Sequence, residues 1–395
     1  MHDTARAFLL AFLLLCTLAA PAAHSSSPNP MIHQQGLDLL DGHGDKIRLR
    51  SVNLAPWLNF EGYLLGGSLL TKQTRIIESL EHLIGKGEAD RLITDLRQEL
   101  VTKEDIEKIA AQKFNCVRVP VNYRQIDGAA APGWAMLDRL AQWCSDNHLY
   151  MIIDLHAAPG GQSKLSTADP EPANLWKTKP MQEATVEIWH RIADHFKNNT
   201  TVAGYDLLNE PQAEFSDDLI DLYKRIIKSI RSVDENHMLV LEGENLASDF
   251  SSFSKPFDRN MVYSFHMYTW FRDDRSKKLA VYGGIAHTQK VPMWVGEFGE
   301  NTYEMIDSTV KMFSSSDYIV GCSFWTWKRA PGKYPNLNVI ELPPNWKLTM
   351  DWIGNPFHKR PLPQESTEGL QQFIKAAAIK NCVADKKMSD ILQQF

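Results

Sequence analysis

The sequence predicts an α/β fold of the (β/α)8 class, the TIM barrel. Eight short runs rich in Val, Ile, Tyr and Phe recur along the 395 residues, and longer segments with helical periodicity separate them. The runs are nearly continuous in apolar residues, which is typical of parallel strands covered on both faces. Eight strands that alternate with helices close into a barrel, and the chain is long enough to fill its core.

The segments between the predicted strands carry apolar residues every three or four positions, as amphipathic helices require. One helix begins at Thr102, where Asp105 three residues later gives a capping-box-like start. Three further helical patterns cover residues 133–147, 181–196 and 217–230. The eight predicted strands span residues 47–55, 116–121, 150–156, 202–209, 237–243, 261–268, 291–298 and 320–327.

Two regions fall outside this alternation. Residues 64–101 enlarge the first βα loop, and their leucine-rich, charged pattern predicts one or two additional helices. Residues 329–395 contain a Pro-rich loop followed by a C-terminal closing helix at 367–383. Because no linker or internal repeat interrupts the chain, we expect residues 24–395 to form a single catalytic barrel domain, and we expect a monomer.

The N-terminal residues are typical of a targeting signal. After Arg6 comes an apolar run of about a dozen residues, too short to span a bilayer, followed by small residues that suit a cleavage site. We expect residues 1–23 to be a signal peptide and the mature chain to be secreted or periplasmic, without a membrane partner after cleavage. A retained membrane anchor is the alternative. An exported chain would also be able to pair Cys144 with Cys382.

Composition excludes some partners and favours others. The net charge is −6 and no basic stretch stands out, which argues against a nucleic-acid partner. The cysteines have no zinc-motif spacing. The chain contains 11 Trp and 11 Tyr, and some of these flat rings are expected to stack against sugar rings.

Polar and aromatic residues recur at the ends of seven of the eight predicted strands. In a barrel of this class the carboxyl ends of the strands meet at one mouth, where the chemistry takes place. Two of the groups are glutamates from opposite sides of the barrel. In strand order the groups are Asn53 with Trp57 and Glu61, Arg118, His156, Asn209 with Glu210, His266 with Tyr268, Glu297, and Trp325 with Trp327.

These strand ends carry an ordered set of motifs: NLAPW, VRVPV, DLHAAPG, LLNEPQ, HMY, WVGEFG and FWTWK. Over roughly residues 45–330 the set resembles glycoside hydrolase family 5, the cellulase-like branch of the retaining barrel glycosidases. The resemblance implies a retaining β-glycosidase with Glu210 as the acid/base and Glu297 as the nucleophile. It implies a β-linked oligo- or polysaccharide as substrate, and neither a cofactor nor a metal.

The chemistry of acetal cleavage fits this assignment. The leaving oxygen needs a proton and the anomeric carbon needs electron density, and two carboxyls about 5–5.5 Å apart supply both through a covalent glycosyl-enzyme. Arg118 is the cation expected to keep Glu297 charged, and the Tyr268 phenol is able to donate to the same carboxylate. Loss of the Glu297 charge on esterification should turn Glu210 from an acid into a base.

The resemblance also implies roles for the remaining residues. Asn209 would contact the sugar 2-hydroxyl, and His156 and His266 would bind sugar hydroxyls or hold carboxylates in place. Trp325 would form the floor of the subsite for the reacting ring. Weaker candidates for outer sugar platforms are Trp57, Trp176, Trp270 and Trp327.

Several alternatives remain open from the residues alone. Arg118 could be a plain ion-pair residue with Asp154, the two histidines could be structural or metal-binding, and Trp325 could be core. Glu300 is the main rival nucleophile, disfavoured because it lies past Gly299, where the strand should have ended. DLHAAPGGQS is similar to exo-acting β-1,3-glucanases, whereas FWTWK is similar to bacterial cellulase-like enzymes, so the linkage stays open.

Four functions are carried forward. The first is a secreted β-glycosidase that hydrolyses a β-glucan or β-glucoside. The second is a cell-wall glucan transglycosidase that uses the same carboxylate pair. The others are a mannan- or glycolipid-directed relative and a non-catalytic carbohydrate-binding barrel.

Overall fold

Eight parallel strands form a closed barrel in the computed structural model, which describes residues 31–395. The strands follow one another around the barrel in chain order, and the eighth pairs with the first. The predicted fold class is therefore confirmed. The strands are β1 (Leu49–Asn53), β2 (Cys116–Asn122), β3 (Tyr150–Ala157), β4 (Val202–Asp206), β5 (Met238–Glu242), β6 (Met261–Met267), β7 (Met293–Gly299) and β8 (Ile319–Trp325).

Helices surround the barrel, and the enlarged first loop contributes two of them, Gln73–Ile84 and Lys86–Leu100, as predicted. The helix at Thr102 begins with the predicted capping box, in which the Thr102 backbone nitrogen donates to Asp105 at 2.8 Å. The remaining helices of seven or more residues in the described range are Lys103–Ala111, Pro132–Asp146, Lys179–Phe196, Ser216–Arg231, Arg275–Gln289, Tyr303–Ser314, Pro344–Gly354, Pro363–Ala377 and Lys386–Leu392.

The closed lower end of the barrel is covered by a small antiparallel sheet that the sequence did not indicate. Its strands are His33–Gln35, Asp38–Leu40 and Lys46–Ile47. Ile32 and Leu39 of this segment pack with the first inward residues of the barrel strands, including Trp294. The barrel is thus filled from below, and only its upper end is available to a substrate.

The C-terminal region differs from the prediction of one closing helix. It contains three helices and a small sheet formed by Lys328–Arg329, Asn338–Val339 and Val383–Ala384. Pro344 and Pro363, which indicated a loop, are the first residues of helices. Proline suits that position because its fixed φ is helical and its missing N–H has no helical partner there.

Buried Lys328 joins the two extra regions to the barrel. Its ammonium lies 2.7 Å from the Asp105 carboxylate and donates to the Leu100 and Ala377 carbonyls at 3.1 and 2.9 Å. Those carbonyls belong to the last turns of the first-loop helix and of the closing helix. One side chain therefore satisfies the ends of two helices far apart in sequence.

Two further expectations can be compared with the described residues. Cys116, Cys144, Cys322 and Cys382 are all free thiols, so the suggested Cys144–Cys382 pair is wrong. Cys144 is buried inside a helix. Within residues 31–395 there is no helix with the length and apolarity needed to traverse a bilayer. The predicted signal peptide, residues 1–23, lies outside the described residues and stays a prediction.

Candidate active site

Arg118 is the centre of the polar cluster at the upper end of the barrel. It points inward from β2 and is fully buried, so its guanidinium needs partners within the protein. It donates to the Asn53 side-chain oxygen at 3.0 Å and to Glu297 at 2.9 Å. Its other partners are Asp206 at 2.9 Å, Asn209 at 2.8 Å, Glu242 at 3.0 Å and Asp154 at 3.1 Å.

This cluster contains more buried carboxylates than one guanidinium can neutralise. Burial raises the pKa of Asp154, although Arg118 and His156 oppose it. Burial and the neighbouring charge of Glu242 raise the pKa of Asp206 well above its usual range. The alternative of a plain Arg118–Asp154 ion pair is thus one part of a larger arrangement, in which the guanidinium contacts both structural carboxylates and Glu297.

Glu297, near the end of β7, is held as a carboxylate. Besides Arg118, the Tyr268 hydroxyl donates to its second oxygen at 2.8 Å, so both predicted contacts are confirmed. Burial alone would raise its pKa, but attraction to His266 and Arg118 outweighs burial, and the pKa lies below its usual value. An ionised carboxylate at this position is suited to act as a nucleophile.

Glu210 follows β4 and adopts a left-handed backbone conformation with φ of 46°, which is uncommon for a non-glycine residue. Its backbone nitrogen donates to Glu242 at 2.6 Å, which holds the residue in that conformation. Its carboxylate lies 2.8 Å from the ring of His266. One Glu210 oxygen and one Glu297 oxygen lie within 4.8 Å of each other. The two glutamates therefore face a common space.

His266 connects the two glutamates. Its Nδ1 lies 2.8 Å from Glu210 and 3.5 Å from Glu297, and its Nε2 lies 3.1 Å from Glu242. Burial lowers the pKa of its imidazole, but Glu242 and Glu297 raise it well above its usual value. The neighbouring carboxylates thus favour the cationic form of the ring. Glu210, His266 and Glu297 are spaced closely enough to hold a metal ion, but a cationic ring and the adjacent guanidinium of Arg118 disfavour a cation there.

His156 holds carboxylates in place. Its two ring nitrogens lie 2.7 Å from Asp154 and 3.2 Å from Glu61. Burial lowers its pKa, but the two acids raise it to about 10. Burial also raises the pKa of Glu61, to about 7. Among the two roles expected for His156, these contacts correspond to carboxylate positioning.

The aromatic residues are placed differently from expectation. Trp325 is only 2% exposed, stacks on His156 at 5.5 Å between ring centres, and donates to Tyr63 at 2.7 Å. Its role as a sugar floor stays a prediction. Trp270 is 46% exposed and stacks on Tyr268. Three of the suggested outer platforms are buried and donate their indole N–H groups to protein acceptors, which argues against that role for Trp57, Trp176 and Trp327.

The rival nucleophile Glu300 belongs to a separate ion pair. It accepts from Arg329 at 2.6 Å. Burial raises its pKa, even though Arg329 opposes that change. Arg118 contacts Glu297, and it is not among the partners of Glu300. The geometry favours Glu297.

Glu242 and Asp206 were not predicted from the sequence, and Asp154 was expected only as a possible ion-pair partner of Arg118. The fifth predicted strand was the one without a polar group at the mouth, yet Glu242 ends β5 and contacts Arg118, His266 and the Glu210 backbone. An acid that closes the run HMLVLEG was the available signal. It follows that all eight strands contribute to the mouth.

Sequence comparisons identify relatives of this chain. The sequence profile described as Cellulase (glycosyl hydrolase family 5) matches residues 90–331. A β-xylosidase of Phanerodontia chrysosporium is 32% identical over 246 residues, 60% of this chain and 51% of the relative. Endoglucanase C of Acetivibrio thermocellus is 29% identical over 179 residues, 43% of this chain and 51% of the relative. The chain thus spans about half the length of these curated relatives.

Solved structures agree on the fold. An endogalactoceramidase superposes with a TM-score of 0.56 at 20% identity, covering 86% of this chain and 84% of that one. A β-glucanase from Saccharophagus degradans superposes with a TM-score of 0.56 at 18% identity, covering 88% of this chain and 94% of that one. At these sequence identities the similarity shows a shared fold and nothing further.

Proposed function

The chain belongs to glycosyl hydrolase family 5, the cellulase family, and on that basis we propose that it is a retaining β-glycosidase acting on a β-glucan or β-glucoside. The observation that carries the proposal is the pair Glu210 and Glu297, whose nearest carboxylate oxygens lie within 4.8 Å. Retaining enzymes place the two carboxyls about 5–5.5 Å apart, whereas inverting enzymes leave about 6.5–9.5 Å for a water molecule.

The first step uses the two glutamates together. Glu210 gives its proton to the glycosidic oxygen, the bond from that oxygen to the anomeric carbon breaks, and a Glu297 oxygen bonds to the carbon. The Asn209 side-chain oxygen accepts from Arg118 at 2.8 Å, which fixes the orientation of the amide. The amide nitrogen would then donate to the sugar 2-hydroxyl, where a contact strengthens in the transition state.

The second step depends on the change of charge. Once Glu297 is esterified it carries no negative charge, and Glu210 has lost its proton. The cationic ring of His266, 2.8 Å from Glu210 and 3.5 Å from Glu297, then pairs with the carboxylate that remains charged. Glu210 takes a proton from water, the hydroxide attacks the anomeric carbon, and Glu297 leaves as a carboxylate.

The named relatives support a β-linked substrate. One is a β-xylosidase and another is an endoglucanase. Secretion through the predicted signal peptide is part of the proposal and agrees with a polysaccharide substrate outside the cell. A transglycosidase would use the same two glutamates, and longer products at high acceptor concentration would distinguish it from a hydrolase.

The test combines a substrate screen with three variants. Purified protein is incubated with β-1,3-, β-1,4- and β-1,6-glucans, mannan, xylan and aryl β-glycosides, and NMR follows the first product. We expect the β anomer first, loss of turnover in Glu297→Ala and Glu210→Gln, and activity in Glu300→Gln, which is the control. Initial α anomer, or wild-type turnover in either of the first two variants, would overturn the proposal.

A further inference from the structure

Exposed apolar side chains gather at the mouth of the barrel. We use the term apolar rim for Leu69, Leu70, Leu165, Phe215, Trp270 and Phe271, which lie on the loops that follow β1, β3, β4 and β6. Leu70 is 86% exposed and Phe271 is 98% exposed. Exposed apolar clusters of this kind on a folded chain mark binding sites.

Hydrogen bonds connect three of these loops to one another along the edge of the mouth. The Ser166 hydroxyl donates to the Leu69 carbonyl, which connects the loop after β1 to the loop after β3. The Gln212 backbone nitrogen donates to the Gln162 carbonyl at 2.9 Å, which connects the loop after β3 to the loop after β4. Leu165 and Phe215 therefore border the same opening.

The fourth loop reaches the catalytic residues directly. Trp270 stacks on Tyr268 at 4.5 Å between ring centres, and Tyr268 donates to Glu297 at 2.8 Å. One ring thus separates the apolar rim from the nucleophile. Glu210 lies in the loop after β4, which also carries Phe215. Since Glu210 must face the leaving oxygen, the leaving group departs toward this part of the rim.

The residue types decide what leaving group fits. A sugar is bound through hydroxyl hydrogen bonds and stacking on flat rings, and leucine side chains offer neither. Leu69, Leu70 and Leu165 gain free energy when they cover hydrocarbon. Apolar side chains on the connected loops at the mouth therefore suit a substrate whose aglycone is apolar.

We propose that this site accepts β-glycosides with an alkyl or aryl aglycone, and that the apolar rim binds that aglycone. The inference rests on the proposed glycosidase activity and names the class of substrate on its leaving-group side.

The test uses alkyl β-glycosides of increasing chain length, from methyl to octyl, below their micelle concentrations, with the sugar that the wild type cleaves best. Each methylene that the rim covers should raise kcat/KM by about twofold to fourfold. The double variant Leu70→Ser, Phe271→Ser should flatten this increase and leave the methyl glycoside unchanged. Phe357→Ser is the matched control, because Phe357 is about as exposed as Phe271 and lies far from the rim residues in sequence. This variant should keep the wild-type dependence of kcat/KM on chain length.

Several results would overturn the inference. One is a kcat/KM that does not depend on chain length in the wild type, and another is the same chain-length dependence in the wild type and the double variant. A third is a wild-type dimer, detected by sedimentation, that the double variant no longer forms, because the rim would then be a dimer interface. Flotation with neutral phosphatidylcholine vesicles that the double variant abolishes would assign the rim to a lipid surface instead. Cleavage of the methyl glycoside with no gain from longer alkyl chains refutes the inference alone, whereas no cleavage of any glycoside refutes the proposed function.

Discussion

The Glu242 carboxylate accepts a 2.6 Å hydrogen bond from the backbone nitrogen of Glu210. The same carboxylate accepts from Arg118 and lies beside the ring of His266, whose other nitrogen contacts the Glu210 carboxylate. Glu242 thus fixes both the backbone and the side chain of the expected proton donor. Because it acts on Glu210 through the backbone hydrogen bond and through His266, it is a positioning residue.

Glu242→Gln keeps the shape of the side chain and removes its charge. An amide group would then face a donor, either Arg118 or the Glu210 backbone, and Glu210 would lose its fixed position. We expect kcat on substrates with poor leaving groups to fall by about 10- to 100-fold, because they need general acid catalysis. On aryl glycosides with good leaving groups, the kcat of the variant should fall much less. An equal loss on both substrate types would indicate a merely structural role.

Tyr268→Phe removes one of the hydrogen bonds that keep the pKa of Glu297 low. The pKa of that carboxyl should rise, and the acid limb of kcat/KM should move to higher pH by about one pH unit. The pH profile on an aryl glycoside measures the shift. An acid limb that stays in place, with the variant folded, would show that the phenol does not stabilise the charged form.

Arg118→Met tests whether the guanidinium holds the upper barrel together. The change leaves buried carboxylates without their cation, and breaking such a cluster costs about 3–5 kcal/mol. Urea unfolding measures the free energy of unfolding. Arg91→Met, which removes a solvent-exposed ion-pair residue on a first-loop helix, is the control and should change stability little. Equal stability losses in the two variants would contradict the expectation.

His156 should make stability depend on alkaline pH. Its pKa is raised from 6.5 to about 10 in the folded chain, so its contribution is complete below pH 6.5 and is lost as pH rises toward 10. The stability difference between wild type and His156→Asn should therefore shrink by at least about 1 kcal/mol between pH 6.5 and 10. Urea unfolding across this range measures it, with His82→Asn on an exposed helix position as control. A constant difference would contradict the assigned charge.

The sequence predicted the parts of the site that strand order determines. Arg118, Tyr268 and Glu297 end up in contact because parallel strands bring their carboxyl ends to one place, so reading each strand end was sufficient. Glu242 was missed because a single acid after an apolar strand has many uses, and its partners come from three other strands.

The predictions that the structure argues against depended on contacts that no local pattern encodes. An indole N–H that finds a protein acceptor permits a tryptophan to be buried. That acceptor is the backbone carbonyl of Arg97 for Trp57 and the carboxylate of Asp105 for Trp327. Likewise, Pro344 ends a loop or starts a helix depending on what its following residues pack against. Here Trp346 of that helix is buried.

The position of Lys328 makes two distant parts of the chain open or close together. If either the first-loop helix or the closing helix frayed at its end, the ammonium would lose an acceptor while still buried beside Asp105. That penalty couples the two local unfolding events, so neither segment forms a separate low-stability unit. The C-terminal region thereby shares in the cooperativity of the barrel instead of behaving as an appendage.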